Sequence, residues 1–402
     1  VYLHSQSRSQ QIKDNCPEKS FSGLIFMQLY LHIPFCKSKC AYCDFNSYAC
    51  HDQAVILRYL TALNQEITLA SKRFAYAKID TVYIGGGTPS ALDERQITSV
   101  FESLENAFDL SCVKEFSIEC NPESITDEKL AVYKQHGVNR VSIGVQSLSD
   151  DNLKAIGRLH TAKVALDKIR LAKEYFDNVS CDLIVGLPFD TEDGIREEVQ
   201  TLCPVVDHIS MYELSVEKGT RLERMIQNGK IALPSDDDTQ SLFDVAFDTA
   251  KKRGFERYEV SNFAKQGKIS LHNFGYWTRE EYLGLGAGAH SLVKTSDGKT
   301  LLERETRYAN LSPLDDYINA VENVSDYKDI ARESVEKLTQ KDVTNEKIML
   351  GLRTVKGVEK SLLHNLPDRL SAFFEDADES RVRLTRDGVA VMNSILVEIL
   401  ED

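Results

Sequence analysis

Residues 28–48 read QLYLHIPFCKSKCAYCDFNSY, which is a short apolar strand followed at once by three cysteines. Residues 29–33 have the β-branched and aromatic content of a strand, and Pro34 ends it. The cysteines follow with the spacing C-x3-C-x2-C and are Cys36, Cys40 and Cys43. This stretch therefore predicts a metal or cluster loop at the end of a strand.

Three thiolates on a compact loop suit three corners of a [4Fe-4S] cube. Because such a cluster normally takes four thiolates, its fourth iron must bind either a distant cysteine or a small molecule. A structural zinc site is the alternative, but it needs four closed ligands, usually from paired C-x2-C knuckles, and the chain has no second knuckle. The spacing favours the cluster over zinc and leaves its fourth ligand open.

Length, charge and cysteine content limit the class of protein. The 402 residues suffice for one large α/β domain and a smaller one. With 48 basic and 62 acidic residues the net charge is −14, which argues against broad nucleic-acid binding. No apolar run reaches the length of a membrane span, and nine scattered cysteines do not form a disulfide scaffold, so we expect a cytoplasmic protein.

Strand and helix patterns alternate over about 190 residues after the cysteine loop, which predicts parallel β/α units. The predicted strands are 80–84, 115–119, 140–144, 178–184 and 208–214, and the predicted helices are 52–71, 94–107, 126–135, 161–175 and 193–203. With 29–33 this makes six strands. Periodicity alone does not separate a partial barrel from a doubly wound sheet. In either fold, residues that follow the strands meet at the carboxyl edge.

The ends of the chain differ from its centre. Residues 1–26 are polar and without a long apolar core, so their composition predicts a disordered extension rather than a signal peptide. We predict a core domain over 27–300, with 300–327 as a mixed connector. Helical patterns at 334–357 and 389–400, around a wing at 382–388, predict a helical and winged domain over 301–402 that covers the active face or contacts a partner.

Four strings in the chain resemble the radical S-adenosylmethionine (SAM) superfamily. They are YLHIPFC at 30–36, the cysteine loop with Tyr42 before its last cysteine, GGGTP at 85–89 and DLIVGLP at 182–188. The resemblance implies a partial (β/α)6 barrel whose [4Fe-4S] cluster leaves one iron open to SAM. It also implies SAM contacts from matching positions, namely Tyr30, Tyr42, Gly86, Gly87, Thr88, Glu119, Gln146, Arg158 and Asp182. No residue is predicted to be catalytic.

A second string, HNFGYW at 272–277, contains the only tryptophan of the chain. Imidazole is a common axial ligand of heme iron and aromatic rings can stack on a macrocycle, but a histidine and an indole within the core would look the same. The string resembles a signature of heme chaperones within the superfamily. That resemblance implies heme contacts from His272, Asn273, Tyr276 and Trp277. His290, in GLGAGAHS at 284–291, has either a functional or a structural role.

The resemblance therefore leaves two functions from different classes. The first is a heme chaperone that delivers heme to membrane hemoproteins of the respiratory chain, at the membrane periphery during delivery. The second is an oxygen-independent coproporphyrinogen III dehydrogenase, a radical enzyme. In the dehydrogenases a further cysteine stands two positions after the third, where this chain has Phe45, and their longer N-terminal segment is absent from 1–26. Both differences favour the chaperone. A third possible function is a radical-SAM enzyme with another substrate. The chain could also form a homodimer.

Overall fold

The computed structural model describes residues 25–295, 304–363 and 366–400. The predicted disordered extension over 1–26 lies outside the described residues, apart from Ile25 and Phe26, which begin the first strand.

The described residues form a large mixed sheet, two smaller sheets and helices around them. The strands are β1 (Ile25–Ile33), β2 (Phe35–Cys36), β3 (Tyr48–Ala49), β4 (Ala77–Gly86), β5 (Glu115–Cys120), β6 (Arg140–Gln146), β7 (Val179–Val185), β8 (His208–Glu213), β9 (Glu256–Arg257), β10 (Asn262–Ala264), β11 (Tyr282–Leu285), β12 (His290–Thr295), β13 (Arg304–Asn310), β14 (Arg332–Lys337), β15 (Val358–Glu359), β16 (Phe374–Asp376) and β17 (Arg381–Leu384). The α-helices are α1 (Gln53–Arg73), α2 (Glu94–Ala107), α3 (Asp127–Gln135), α4 (Asp150–Ala155), α5 (Ala162–Tyr175), α6 (Glu192–Leu202), α7 (Arg221–Gln227), α8 (Asp236–Lys252), α9 (Leu271–Trp277), α10 (Leu314–Glu322), α11 (Gln340–Gly351), α12 (Arg386–Ala390) and α13 (Met392–Ile399).

The main sheet has the strand order β14-β13-β12-β11-β1-β4-β5-β6-β7-β8-β10-β9. Its centre, from β11 to β8, is parallel throughout, whereas the strands outside it run antiparallel. The six predicted strands are β1 and β4 to β8, so the partial β/α barrel is confirmed. Within the described residues, the edge strands β14 and β9 are not paired with each other.

Side-chain caps explain why the predicted helix starts agree with the observed ones. The N-cap side chains accept hydrogen bonds from backbone N–H groups two or three residues ahead. The caps of the five barrel helices are Asp52, Asp93, Thr126, Thr161 and Thr191. Each helix buries an apolar face against the sheet in one continuous core.

The sheet is wider than the sequence predicted. The expected connector at 300–327 contains β13, and 334–337, predicted as helical, belongs to β14. The reason is that β14 is a mostly exposed edge strand whose sequence RESVEK has no apolar alternation. The predicted boundary at residue 300 stays a prediction, and the same sheet continues across it as far as Lys337.

The C-terminal part combines a three-stranded antiparallel sheet, in the order β15-β17-β16, with α11, α12 and α13. It has its own core, which includes Ile348, Leu352, Val358 and Ile395. The helix predicted over 389–400 is interrupted, because Val391 separates α12 from α13 with a non-helical backbone. The expected smaller helical and winged unit is thus present.

Glu198 has a carboxyl group that is buried under the strand ends and forms no ion pair within the described residues. Glu198 of α6 accepts hydrogen bonds from Ser147 Oγ at 2.6 Å and from the Leu148 N–H at 2.9 Å. Burial raises the pKa of Glu198 from 4.5 to about 7, against the opposing effect of these hydrogen bonds.

We predict that Glu198→Gln reduces the pH dependence of stability. Because the folded state binds the Glu198 proton more tightly than the unfolded chain does, the stability contribution is complete below about pH 4.5 and is lost as pH rises through about 7. The wild type should therefore lose roughly 1–3 kcal/mol relative to the variant between pH 5 and 8. Urea unfolding at several pH values measures this difference, and parallel curves for the two proteins would contradict it.

Candidate functional site

A cavity of about 490 Å³ opens at the carboxyl ends of the parallel strands. All three cysteines of the loop line it, as do eight of the nine residues predicted to contact SAM. Those eight are Tyr42, Gly86, Gly87, Thr88, Glu119, Gln146, Arg158 and Asp182. The ninth, Tyr30, lines a neighbouring cavity. The structure thus brings together residues that are up to 146 positions apart, from Cys36 to Asp182.

Backbone hydrogen bonds hold the cysteine loop in place. Cys36 ends β2, which pairs in parallel with β3 on the far side of the loop. The Ala41 N–H donates to Ile156 O at 2.8 Å, and the Ala41 carbonyl accepts from the Leu222 N–H at 2.7 Å. The middle of the loop is therefore fixed to two segments that follow β6 and β8.

Each sulfur has a polar neighbour. Thr88 Oγ1 donates to Cys36 Sγ at 3.3 Å, Arg158 Nη1 donates to Cys40 Sγ at 3.3 Å, and Cys43 Sγ lies 3.7 Å from Ser47 Oγ. Hydroxyl and guanidinium donors stabilise thiolates, which are the ligand form of cysteine, whereas burial raises the pKa of the Cys36 thiol.

All three cysteines of the loop line one cavity. Within the described residues, no three His, Cys, Asp or Glu side chains converge as ligands of a single metal ion. In a cuboidal cluster each thiolate binds a different iron, so its ligands need to surround the cluster. Three thiolates that line one cavity fit such a cluster.

Arg158 connects the cysteine loop to the strand ends. Its Nη2 donates to Asn121 Oδ1 at 2.8 Å and to the Gly144 carbonyl at 2.6 Å, while Asn121 Nδ2 donates to Thr88 Oγ1 at 3.1 Å. Sequence reasoning missed Asn121, although its position just after β5 and before Pro122 is the kind that places a polar side chain at this edge.

Two half-buried carboxyl groups face the same cavity. Glu119 accepts from Tyr83 OH at 2.8 Å and from the Gly86 N–H at 3.0 Å, and burial raises its pKa to about 7. Asp182 accepts from Ser142 Oγ at 3.3 Å, and burial likewise raises its pKa. Gln146 lies at a register shift between β6 and β7 with a positive φ of 68°, a backbone conformation that is uncommon outside glycine and is often found at functional sites.

A second cavity of about 420 Å³ adjoins the first, and the two share Phe45, Gly86 and Glu119 as lining residues. Its other lining residues are Tyr30, His32, Asn46, Tyr276, Tyr282, Gly288, Ala289 and His290. The side chain of Phe45 is at the rim and its residue is 65% exposed. A larger cavity of about 630 Å³ lies between the β9 edge and the C-terminal unit and contains none of the predicted site residues.

A buried carboxylate fixes one wall of this second cavity. Glu66 of α1 accepts from the Gly286 N–H at 2.8 Å, from Asn310 Nδ2 at 2.8 Å and from Tyr317 OH at 2.7 Å, and it lies 3.4 Å from Arg332 Nη1. Glu66 is completely buried, and burial raises its pKa. The loop between β11 and β12 is therefore tied to helix α1.

The residues predicted to contact heme do not share one environment. His272 is completely buried, with Nδ1 2.7 Å from Thr81 Oγ1 and Nε2 2.9 Å from Tyr276 OH. Burial lowers its pKa to about 3. Tyr276 lines the second cavity, whereas Trp277 packs in a separate cluster with Tyr258 and Phe274.

This geometry is that of a core histidine, since both ring nitrogens of His272 have partners and neither is open to an iron atom. Asn273 is half-buried on the same helix and lines neither cavity. The predicted heme contacts stay predictions, and Tyr276 is the member of the string that reaches the second cavity.

Comparison with known proteins identifies relatives over most of the chain. The family model for the radical SAM superfamily matches residues 30–202. The chain is 36% identical to the heme chaperone HemW of Bacillus subtilis, over 82% of this chain and 84% of that protein. It is 32% identical to the heme chaperone HemW of Lactococcus lactis, over 93% of this chain and 97% of that protein. A mitochondrial radical S-adenosyl methionine domain-containing protein 1 from Bos taurus is 32% identical, over 96% and 89%.

Among solved structures, the radical SAM enzyme coproporphyrinogen III oxidase (HemN) of Escherichia coli superposes with a TM-score of 0.78. The alignment covers 98% of this chain and 93% of that chain at 22% identity. At this identity the likeness shows a common fold.

Gly86, which lines both cavities, allows a sharp test of the site geometry. Its φ is +115°, and a Cβ there would lie 2.5 Å from atoms of the His32 ring. Gly137 also has a positive φ, of 84°, but a Cβ there would meet no atom within 4 Å. The pair separates the cost of backbone strain from the cost of a clash.

We predict that Gly86→Ala destabilises the protein by about 3 kcal/mol or more, because backbone strain and overpacking add. Gly137→Ala should cost only about 1–2 kcal/mol from the backbone alone. Chemical denaturation of both variants measures the two costs. Equal costs would mean that the strand end at Gly86 moves freely, against the close packing described above.

Proposed function

The chain belongs to the HemW family of the radical SAM superfamily, and from this premise we propose that it is a heme chaperone that delivers heme to membrane hemoproteins such as respiratory enzymes. The observation that carries the proposal is the pair of adjoining cavities. One has three cysteines and a set of polar side chains, and the other has aromatic walls and two histidines. Membership of the superfamily implies SAM and a [4Fe-4S] cluster.

In this proposal Cys36, Cys40 and Cys43 bind the cluster, and its remaining iron is left to SAM. When bound, the cluster and SAM supply one-electron chemistry of the kind that belongs to the cofactor. The chain's own contribution is to hold charge and exclude water. Thr88 and Arg158 donate to two of the thiolates and so stabilise their charge.

The polar residues of the first cavity match the groups of SAM. Glu119 and Asp182 are hydrogen-bond acceptors for hydroxyl and ammonium groups, and Arg158 and Gln146 are donors for a carboxylate. Glu119 holds a proton more tightly than an exposed carboxyl does, and a cationic ligand beside it would favour the ionised form.

A dehydrogenase acting on coproporphyrinogen III is the second candidate, because the fold superposes on HemN over nearly the whole chain. Phe45 argues against it, since the dehydrogenases have a cysteine at this position. Phe45 is largely exposed at the boundary of the two cavities, so this position faces the site.

We also propose that the protein works in the cytoplasm and meets the membrane only through the hemoproteins that receive the heme. None of the helices in the described part of the chain is both long and apolar enough to cross a membrane.

We predict that anaerobic reconstitution gives a cluster with about four iron and four sulfide per chain. Serine at Cys36, Cys40 or Cys43 should reduce the iron and sulfide content strongly, because each thiolate serves one corner. Cys50→Ser is the matched control, since Cys50 follows the loop but does not line the cavity. Iron and sulfide assays with absorption spectra decide the matter; a zinc-loaded protein, or a cluster that needs Cys50, would refute the assignment.

We further predict that the purified protein binds heme and does not convert coproporphyrinogen III. Heme titration by absorbance and an anaerobic conversion assay with SAM and a reductant measure the two properties on one preparation. Conversion of coproporphyrinogen III by the wild type would establish the dehydrogenase instead. If the protein with an intact cluster did not bind heme, the proposal of a heme chaperone would be refuted.

A further inference from the structure

Three histidines lie in or beside the second cavity, and their ring nitrogens differ in availability. His32 is buried, with Nδ1 3.0 Å from Tyr30 OH and Nε2 2.8 Å from the Asn46 carbonyl. His272 is also buried and has both nitrogens engaged. An imidazole can bind a metal only through a nitrogen that has an accessible lone pair. Neither ring can therefore act as an axial ligand unless it breaks an existing hydrogen bond and becomes exposed.

His290 differs in both respects. It is exposed and lines the cavity, and within the described residues no hydrogen bond to its ring is found. Its backbone is held firmly, because β12 begins at His290 and pairs it with Ala309 of β13. A Cβ at the neighbouring Gly284 would lie 2.1 Å from the His290 carbonyl, so the two segments are closely apposed. The imidazole ring of His290 is therefore available as a ligand, while its backbone is held in place by the sheet.

The cavity in front of His290 has aromatic walls. Tyr30 stacks on Tyr83 with ring centroids 6.3 Å apart, and Tyr276 meets Tyr282 edge to face at 4.8 Å. Such rings offer flat apolar area at low conformational cost to a planar ligand. The opening beside Phe45 and Gly288 leaves part of that ligand in solvent.

His272 also takes part in this site, but indirectly. Its Nε2 bonds the Tyr276 hydroxyl, its ring lies edge to face with Tyr276 at 5.0 Å, and it stacks on Tyr83 at 5.1 Å. It therefore positions Tyr276, which lines the cavity, and Tyr83, which stacks on the cavity residue Tyr30. This explains why a buried histidine can belong to a heme-associated string.

We propose that His290 is the axial ligand of the heme iron in this aromatic cavity, and that His272 is a positioning residue that acts through Tyr276. The inference rests on the proposed function, since heme is the ligand. It changes the ligand from the first residue of the 272–277 string to a residue 18 positions later, while it keeps Tyr276 in contact with the macrocycle.

The test compares spectra as well as affinity, on full-length protein with its cluster reconstituted. We expect His290→Ala to weaken heme binding by about tenfold or more, to shift the Soret band and to remove the spectroscopic signature of an axial imidazole. Added free imidazole should restore that signature. His272→Ala should weaken binding and leave the imidazole signature in place, and Tyr276→Phe, which keeps the ring, should have a smaller effect.

His51→Ala is the matched control, because His51 is exposed and lines neither cavity. Iron and sulfide content and circular dichroism confirm folding, with His290→Gln as the second variant if the alanine protein is unfolded. The proposal is overturned if His290 variants bind heme with the wild-type spectrum, or if His272→Ala loses the imidazole signature. A wild type that does not bind heme refutes the proposed function itself, which is a separate outcome.

Discussion

The parallel pairing of β1 with both β4 and β11 is the constraint on which the rest of the structure depends. Leu29, Leu31 and Ile33 are completely buried, so this central strand can take only one register without exposing its core face. Because the three strands run in the same direction, their carboxyl ends bring three loops to one edge. These are the cysteine loop, the glycines at 85–87 and the glycine-rich loop at 286–289. Both cavities follow from that convergence.

The barrel could be predicted from the sequence because its signals are local. Buried parallel strands have continuous apolar runs, and capping residues such as Asp52 and Thr161 mark helix starts. The antiparallel extension could not be predicted in the same way. Strand β14 is polar and gains its pairing only from β13, which is a tertiary contact that no local pattern encodes.

The residues of the candidate site likewise fall into those that local sequence signals predict and those that depend on tertiary contacts. Residues near the carboxyl ends of parallel strands, such as Glu119 of β5 and Gln146 of β6, line the cavity because strand direction alone brings them to the edge. Which face of a short helix is buried depends instead on what packs against it. Helix α9 lies against β4 and directs His272 towards Thr81, so the histidine that resembles a heme ligand in the sequence lies inside the protein. Availability of His290 is equally a matter of long-range packing.

The network around Glu66 has a consequence for how a large ligand enters and leaves. Four hydrogen-bonding partners from four segments meet at this buried carboxyl group, and displacement of any one would break a buried hydrogen bond. The wall that includes Gly286 and leads to His290 is therefore stationary. Phe45 lies at the rim of the same cavity, and its side chain is exposed and takes no part in the Glu66 network. Under the proposed function, a planar ligand in this cavity would meet an anchored loop at 286–290 and an exposed side chain, that of Phe45, at the rim.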